Sequence, residues 1–267
     1  MLICPNCRKR LVRAENRYVC ESSHSFDIAR QGYVNLLMKS GATVHGDNAE
    51  MIKARQEFLD KGYYGGLRSA ICKAVLSHIR NGGVFLDAGC GDMWYSQEII
   101  KRADSINAYG TDISRDAVKR ASARKTGAVL AVASNAEIPL ESKSVDVILS
   151  VFAPLYEQET LRILKNDGVI VKVTPMQRHL LSLKEILYEN VRIKDESAFF
   201  TSFDEIYSEE YSEIITVEGD DIGRLYTMTP YSHKTSAQDG EKLKAISSLE
   251  TEIHCKISVY KPHGFDN

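Results

Sequence analysis

Long apolar runs and an export signal are both missing from this chain of 267 residues. No stretch of about 18 apolar residues occurs, which argues against a helix that crosses a bilayer. The first residues, Met1 to Pro5, have neither the basic start nor the apolar core of a signal peptide. We therefore expect a protein that stays in the cytoplasm and has no membrane partner.

The placement of the cysteines gives no sign of a disulfide framework, although the chain has six of them. Three fall within the first 20 residues, whereas Cys72, Cys90 and Cys255 are scattered. In a reducing compartment, clustered cysteines bind metal more often than they form disulfides. The pattern therefore indicates a metal site near the N-terminus.

An overall excess of positive charge, which is typical of nucleic-acid-binding proteins, is also absent, since the net charge is −2. The charge is unevenly divided, however. Residues 1–80 contain 13 Lys and Arg against 7 Asp and Glu, and the remaining residues contain 21 against 29. A basic front end on an acidic body fits a polyanion that docks at one side, and it equally fits a solvated basic face.

Strand-like and helix-like segments alternate from Gly83 onward. Apolar runs with the length of buried strands lie at 84–86, 106–110, 129–133, 145–152 and 169–173. Amphipathic segments between them predict helices near 95–103, 114–124 and 157–164, and the tail adds a helix near 178–190, acidic segments and a strand at 253–260. Repeated strand–helix units of this length predict an α/β fold with a doubly wound parallel sheet.

The region before this sheet divides into two parts, which gives three predicted regions: 1–36, 37–80 and 81–267. Residues 39–48 are rich in turn-forming residues and predict a mobile loop. Asp47 or Asn48 would cap the helix that follows, where apolar residues from Met51 to Leu59 recur at helical spacing. A second amphipathic helix is predicted from about 67 to 79.

Four potential metal ligands lie in two close pairs, Cys4 with Cys7 and Cys20 with His24, in the arrangement C-x2-C-x12-C-x3-H. Zinc prefers tetrahedral thiolate and imidazole ligands, and two short-spaced pairs can close such a site. The competing interpretations are ordinary buried cysteines and a redox C-x-x-C, which would normally follow a strand and precede a helix. Because protein fills all four positions, the predicted zinc ion is structural and stabilises a segment too small to fold on its own core.

A glycine-rich turn follows the strand at 84–86 in the form Asp87-x-Gly89-x-Gly91. Glycines there let the backbone approach a ligand closely, and Asp112, at the end of the next strand, could accept hydrogen bonds from both hydroxyls of a ribose. A dinucleotide site would need a third glycine to seat a pyrophosphate, and this loop has none. The pattern therefore favours S-adenosylmethionine (SAM) over NAD, with a turn that binds nothing as the remaining alternative.

Two further segments fit a ligand at the carboxyl ends of the strands. Asn135 follows the third strand, where a polar side chain can meet the edge of an adenine. Phe152-Ala153-Pro154 follows the fourth strand and would suit a flat substrate ring, although it can equally be a strand terminator.

Several motifs extend these patterns over nearly the whole chain. They are the Cys4/Cys7/Cys20/His24 module, Gly-Tyr-Val-Asn-Leu at 32–36, Asp-Asn-Ala-Glu-Met at 47–51 with Arg55, the segments 58–64 and 86–91, Ala153-Pro154, Thr174-Pro175 with His179-Leu180, and Met-Thr-Pro at 228–230. Together they resemble the zinc-containing bacterial methyltransferases that modify N1 of a guanine in 23S ribosomal RNA, a family that includes macrolide-resistance members.

The resemblance implies a Rossmann-like class I SAM-dependent methyltransferase domain behind a small zinc-binding module that recognises RNA. Its implied cofactors are SAM and a structural Zn²⁺ ion, and its implied target is a 23S hairpin, approached by a protein that can pair into a homodimer. It places Tyr64, Gly91, Asp92 and His179 in contact with SAM. The loop reasoning adds the cofactor-binding candidates Asp87, Gly89, Asp112 and Asn135.

The mechanism implied by the resemblance needs an unpaired or flipped guanine, because N1 is hidden inside a base pair. The basic residues of the module would grip the RNA backbone; they are Arg8, Lys9, Arg10, Arg13 and Arg17. Asp92 and His179 are candidates for a general base, but both are expected to be occupied by the cofactor, so no catalytic residue is assigned. Cys90 is expected to be a packing residue.

One segment departs from the family, which usually reads Gly-Cys-Gly-Glu-Gly-Tyr-Tyr where this chain has Gly-Cys-Gly-Asp-Met-Trp-Tyr at 89–95. Met93 would place a bulky side chain where the backbone approaches SAM, and a positive φ there would cost about 1 kcal/mol. The alternative function is therefore a non-catalytic RNA- or ribosome-binding protein with a degenerate SAM site. A small-molecule methyltransferase is a weaker third option, because the zinc module and the basic front end count against it.

Overall fold

The computed structural model describes residues 1–38, 46–188, 200–235 and 240–264, except for the side chain of Lys234. Most of the loop predicted at 39–48 and the last residues of the helix predicted near 178–190 lie outside the described residues. Within the described ranges, no helix has the length and apolar character needed to cross a membrane.

The N-terminal segment forms a small ribbon of three antiparallel strands in the order β1-β2-β3. Their bounds are β1 Leu11–Ala14, β2 Arg17–Cys20 and β3 Ser25–Asp27. The next strand, β4 Val34–Asn35, leaves the ribbon and pairs in parallel with a strand of the main sheet. The predicted boundary at residue 36 thus comes directly after β4, which follows the ribbon in sequence but belongs to the main sheet.

The rest of the described chain alternates helices and strands. The helices are α1 Ala49–Asp60, α2 Gly65–Leu76, α3 Trp94–Arg102, α4 Arg115–Ala123, α5 Glu157–Ile163, α6 Leu181–Leu187, α7 Asp220–Thr227 and α8 Tyr231–Lys234, with a 3-10 turn at Lys242–Ala245. The strands are β5 Val84–Ala88, β6 Asn107–Asp112, β7 Val129–Val132, β8 Val145–Val151, β9 Leu164–Pro175, β10 Phe203–Glu218 and β11 Ser248–Pro262. Asn48 caps α1, since its Oδ1 accepts a hydrogen bond of 2.9 Å from the backbone N–H of Met51.

The main sheet has eight strands in the order β10-β11-β9-β8-β5-β6-β7-β4. The predicted α/β architecture is confirmed, with parallel pairing from β4 through β9, and the tail adds an antiparallel edge, because β11 runs antiparallel to both β9 and β10. From β5 the chain proceeds outward through β6 and β7, and from β8 it proceeds to the other side through β9. Ligands of such sheets bind at this reversal, outside the carboxyl ends of the two central strands.

Apolar side chains alternate between the two faces of the sheet. Along β9, Val169, Val171 and Val173 face one core cluster, formed with α1, α2 and α6, and Ile170 faces the other. The second cluster also contains Leu2 and Leu11 of the ribbon, so the small module shares its core with the sheet. Two backbone hydrogen bonds, Ile3 N–H to Pro139 (2.9 Å) and Glu141 N–H to Met1 (3.0 Å), fasten the start of the chain beside it.

Candidate metal centre and cofactor site

The four predicted metal ligands meet at one point of the ribbon. Their ligand atoms all lie within 4.8 Å of one another. The Nδ1 atom of His24 lies 3.5 Å from Cys4 Sγ and 3.4 Å from Cys20 Sγ, and Cys7 Sγ lies 3.5 Å from Cys20 Sγ. Ligands of a tetrahedral zinc site are about 3.5–3.8 Å apart, given bonds of about 2.0–2.3 Å. Three thiols and one imidazole at these distances therefore fit a closed zinc site.

Tight turns bring each pair of ligands together. The backbone N–H of Arg8 donates to the carbonyl of Cys4, and that of Ser23 donates to the carbonyl of Cys20. Arg8 and Ser23 both have positive φ, 61° and 63°, which closes each turn within a few residues. The pKa of the Cys7 thiol is lowered to about 6, mainly by a hydrogen bond from the backbone N–H of Lys9. The lower pKa favours the thiolate, which is the form that binds metal.

The glycine loop lies at the reversal point, between β5 and α3. Gly89 has φ 81°, and a Cβ atom built on it would lie 2.4 Å from Cβ of Ala153, so only glycine allows the loop to touch the segment after β8. Gly91 has φ 53°, and a Cβ atom there would meet no atom of the described residues within 4 Å. The backbone at Gly91 is therefore open on the side where a ligand could lie.

Asp112 is joined directly to this loop. Its Oδ2 accepts a hydrogen bond of 2.9 Å from the backbone N–H of Gly91, and its Oδ1 accepts one of 2.8 Å from that of Ser114. Burial raises the pKa of Asp112, while these two bonds oppose the shift. The carboxylate thus lies at the carboxyl end of β6 beside the open glycine backbone, as expected for a ribose-binding position.

The carboxyl groups of the other two loop aspartates are bonded to protein groups. Asp87 is 3% exposed and accepts a hydrogen bond from the hydroxyl of Ser96, and burial raises its pKa to about 7. Asp92 is 6% exposed and forms an ion pair with Arg124, which also bonds to the Asp92 carbonyl (2.9 Å) and to Asp60 (2.9 Å). A contact of either carboxylate with SAM stays a prediction.

Met93 adopts the conformation that the family's glycine would allow, with φ 62° and ψ 26°. Its side chain is fully buried among apolar residues that include Cys90, Val118 and Leu130. The expected bulk is therefore accommodated in the core behind the loop, and the backbone at Gly91 remains open.

Asn135 and the segment after β8 meet at the same edge of the sheet. The side-chain Nδ2 of Asn135 donates to the carbonyl of Pro154 at 3.0 Å. Ala153 touches the Gly89 position, as described above. The carboxyl ends of β5, β6, β7 and β8 thus bring together Gly89, Asp112, Asn135 and the corner at 152–154.

Tyr64 and His179, which only the resemblance assigned to the cofactor site, lie against each other. Their ring centroids are 6.3 Å apart in an edge arrangement, and the ring of Phe152 lies 5.4 Å from that of His179. The Nδ1 of His179 accepts a hydrogen bond of 3.2 Å from the backbone N–H of His254, which leaves the proton of the neutral ring on Nε2. Burial lowers the pKa of His179 to about 3, so the ring is neutral near pH 7.

Sequence reasoning missed two residues that hold this site together. Arg124 lies 32 positions after its partner Asp92, and Lys172 is buried on β9 with its Nζ 3.4 Å from the carbonyl of Ala153. Neither belongs to a recognisable motif. A lysine within the otherwise apolar run of β9 was the one signal that could have pointed to the second.

Models of two protein families match the chain. The model described as "RlmA, N-terminal", a zinc ribbon, matches residues 2–38, and the model described as "Methyltransferase domain" matches residues 86–171. These matches coincide with the metal cluster and with the strands that carry the glycine loop, Asp112 and the corner after β8.

Similar proteins cover most or all of the chain. The 23S rRNA (guanine(748)-N(1))-methyltransferase of Streptomyces fradiae is 30% identical over 273 residues, which span 98% of this chain and 96% of that protein. Proteins of Bacillus subtilis strain 168 (34% identity over 197 residues) and Micromonospora griseorubida (36% over 206 residues) are also named as 23S rRNA (guanine-N(1)-)-methyltransferases, and each match spans 70% of this chain and 69% of the relative. The chain therefore belongs to the 23S rRNA (guanine-N1-)-methyltransferase family.

Proposed function

We propose that this protein transfers a methyl group from SAM to N1 of a guanine in 23S ribosomal RNA. The observation that carries the proposal is the 2.9 Å bond between the open Gly91 backbone and Asp112 at the reversal point of the sheet. It fits a nucleoside cofactor without a pyrophosphate, in a chain that also closes a zinc ribbon. Family membership supports the target.

The residues that would hold SAM are those gathered at the carboxyl ends of the strands. Gly89 and Gly91 offer backbone, Asp112 would accept the ribose hydroxyls, and Asn135 would meet the adenine edge. Tyr64 and His179 supply a buried aromatic pair next to them. When bound, SAM supplies an electrophilic methyl group, so that guanine N1 needs only alignment and the loss of its proton.

Neither of the two candidates for a general base, His179 and Asp92, is suited to take the N1 proton. His179 accepts a hydrogen bond at Nδ1, and its pKa of about 3 makes it a weak base. The Asp92 carboxylate is bound by Arg124. The role of these residues is therefore to shape the site, and the N1 proton leaves to a water molecule that reaches the base.

The ribbon would grip the RNA backbone with exposed cations. Arg8, Lys9 and Arg10 form ion pairs of 3.5–3.9 Å with Glu159, Glu21 and Glu141. The three cationic side chains are 46–69% exposed and their ion pairs contribute little, so the cations can turn from the carboxylates to phosphates at low cost. We extend the proposal to a division of labour in which residues 1–36 recognise RNA, 37–80 link and 81–267 bind SAM, in a cytoplasmic homodimer that acts on a 23S hairpin.

The test has two parts on the zinc-loaded protein. Calorimetric titration with SAM measures cofactor affinity, and labelled SAM measures methyl transfer to unmodified 23S rRNA transcribed in vitro. N1 methylation blocks base pairing and is located by a stop in primer extension. We expect micromolar SAM binding and one strong stop at a guanine.

Three other outcomes would contradict the proposal in distinguishable ways. RNA binding without SAM binding would indicate the non-catalytic ribosome-binding alternative. SAM binding without transfer to RNA would favour a small-molecule substrate. Transfer to an atom other than N1 would retain the enzyme and overturn the target.

A further inference from the structure

Phe152 is an exposed aromatic residue in an unusual backbone conformation. Phe152 is 42% exposed, and its φ is 54°, a left-handed value that is strained for any residue other than glycine. Strained residues persist where the surrounding structure over-determines them, and such positions cluster at functional sites. A surface ring at this position therefore calls for a specific role.

The segment that carries this ring is held from several sides. The backbone N–H of Phe152 donates to the carbonyl of Val173 at 3.1 Å. The Ala153 carbonyl accepts from the hydroxyl of Ser150 (2.9 Å) and from Nζ of Lys172 (3.4 Å), while Pro154 is bonded to Asn135 as described above. Phe152 is thus presented by a rigid corner.

Lys172 is the most unusual of these supports. It faces Ser150 on β8 and Ser258 on β11 in register, so that three adjacent strands place polar side chains on one face of the sheet. Lys172 is 6% exposed, and among the described residues it has no carboxylate partner. A buried cation without a carboxylate partner is costly; here the Nζ of Lys172 is directed at the carbonyl of the corner and lies 5.9 Å from the ring centroid of Phe200.

The ring of Phe152 is exposed and lies against a residue of the candidate cofactor site. Its centroid is 5.4 Å from that of His179, at an interplanar angle of 38°. The next residue, Ala153, touches the Gly89 position of the loop. One face or edge of the ring is therefore available to a second planar group at the carboxyl end of β8.

We propose that Phe152 is the ring on which the target guanine stacks, with Lys172 as the positioning residue that holds the corner. The inference rests on the proposed function and names its base-binding residue. Enzymes that act on unpaired bases stack them on aromatic side chains. Stacking at this position would bring the guanine next to the loop that binds the methyl donor.

The first test compares variants of the ring on unmodified 23S rRNA under the conditions in which the wild-type protein is assayed. Phe152→Ala and Phe152→Leu are expected to lower kcat/KM for RNA on the order of 10- to 100-fold, because both remove the aromatic face. Phe152→Tyr keeps the face and should stay within about 3-fold. Tyr207→Ala is the matched control, since Tyr207 is 50% exposed on the edge strand β10.

Calorimetry with SAM separates stacking from other roles. The proposal requires unchanged SAM affinity and an unchanged unfolding transition in Phe152→Leu. A loss of SAM affinity that parallels the loss of activity would assign the ring to the cofactor and overturn the proposal. A Phe152→Leu variant with the activity of the wild-type protein would also overturn it. An inactive wild-type protein, in contrast, would refute the proposed function itself.

The second test concerns Lys172. Lys172→Met removes the donor to the corner and is expected to raise KM for RNA more than it lowers kcat. Lys172→Gln restores an uncharged donor and is expected to recover most of that loss. An equal effect of both substitutions on unfolding, with no change in KM, would reduce Lys172 to a purely structural residue.

Discussion

At the scale of single residues, Met93 shows two opposing effects at one position. Its left-handed backbone costs about 1 kcal/mol, which glycine would recover. Its side chain is fully buried, and the removal of such a side chain costs about 2–5 kcal/mol. We predict that Met93→Gly lowers the free energy of unfolding, even though glycine is the usual residue of the family at this position.

Lys125 provides the matched control for this prediction. It has φ 52° after the end of α4, but its side chain is exposed. Lys125→Gly therefore removes the strain without loss of burial and is expected to raise the free energy of unfolding by up to about 1 kcal/mol. Urea unfolding of the two variants checks the opposite signs; a gain of stability in Met93→Gly would contradict the burial argument.

Asp112 is the residue on which SAM affinity should depend most directly. Hydrogen bonds to a charged group are worth about 1.5–3 kcal/mol, so Asp112→Ala is expected to raise the Kd for SAM on the order of 10- to 100-fold. Asp116→Ala, an exposed position in the first turn of α4, serves as the control in the same calorimetric titration. Equal affinities in the two variants would remove Asp112 from the ribose site.

Two buried titratable residues are predicted to affect acid stability in opposite directions. The pKa of His179 is lowered from 6.5 to about 3, so between these values the unfolded state binds the extra proton and stability falls as the pH falls. The pKa of Asp87 is raised from 3.8 to about 7, so in that window the folded state binds the proton and stability falls as the pH rises. The two effects oppose each other between about pH 4 and 6.5.

Single substitutions separate them. Relative to the wild-type protein, Asp87→Asn should lose stability toward acid and His179→Gln should gain it, each by about 1.4 kcal/mol per pH unit for one proton. Urea unfolding between pH 4.5 and 6.5 measures both differences, and any acid loss of zinc cancels because all three proteins share it. Parallel curves for the three proteins would show that neither group titrates as stated.

Local spacing made the metal ligands predictable, because Cys4, Cys7, Cys20 and His24 lie within 21 residues of one another. The positions of the glycine loop after β5 and of Asp112 at the end of β6 were predictable in the same way, from spacing along the chain. Side-chain pairs from distant parts of the chain could not be predicted, because nothing in the sequence records which surfaces pack together. The Arg124–Asp92 ion pair and the corner support by Lys172 belong to this second group.

At the scale of elements, Arg124 connects the end of α4 to the end of α1 and to the cofactor loop. Its guanidinium is bonded to Asp92 and Asp60, and the Asp92 carboxylate has little exposure. Arg124→Met leaves that carboxylate buried without a partner and is expected to cost about 3–5 kcal/mol. Adding Asp92→Asn should recover most of this loss in urea unfolding; additive effects of the two substitutions would mean that they do not act as a pair.

Strands with apolar runs were predicted because their side chains face cores on both sides of the sheet, as in β8 and β9. β10 was missed, since it contains Glu205, Glu209, Glu210 and Glu213 and its first half is exposed. Its partner β11 supplies the apolar contacts, and charged residues on an edge strand hinder pairing with another chain. An acidic edge strand thus looks like a solvated loop until its neighbour is known.

At the scale of the whole molecule, loss of zinc is predicted to affect more than the ribbon. Cys7→Ser should abolish stoichiometric zinc binding and lower the melting temperature, because the ribbon and the sheet share one core cluster. Cys72→Ser, at a buried cysteine outside the metal cluster, should retain the zinc. Hydrogen exchange should then report lost protection both in residues 1–38 and around Leu140; loss confined to the ribbon would contradict the shared core.

The ribbon is fastened to the sheet at both of its ends, through Ile3 and Met1 beside Pro139–Glu141 and through the pairing of β4 with β7. These two attachments and the core cluster that the ribbon shares with the sheet fix its position, so its basic face keeps a constant distance from the Gly89 loop. Under the proposed function, this constant distance restricts the target. The protein selects a guanine that lies at a fixed distance along the RNA from the phosphates bound by the ribbon.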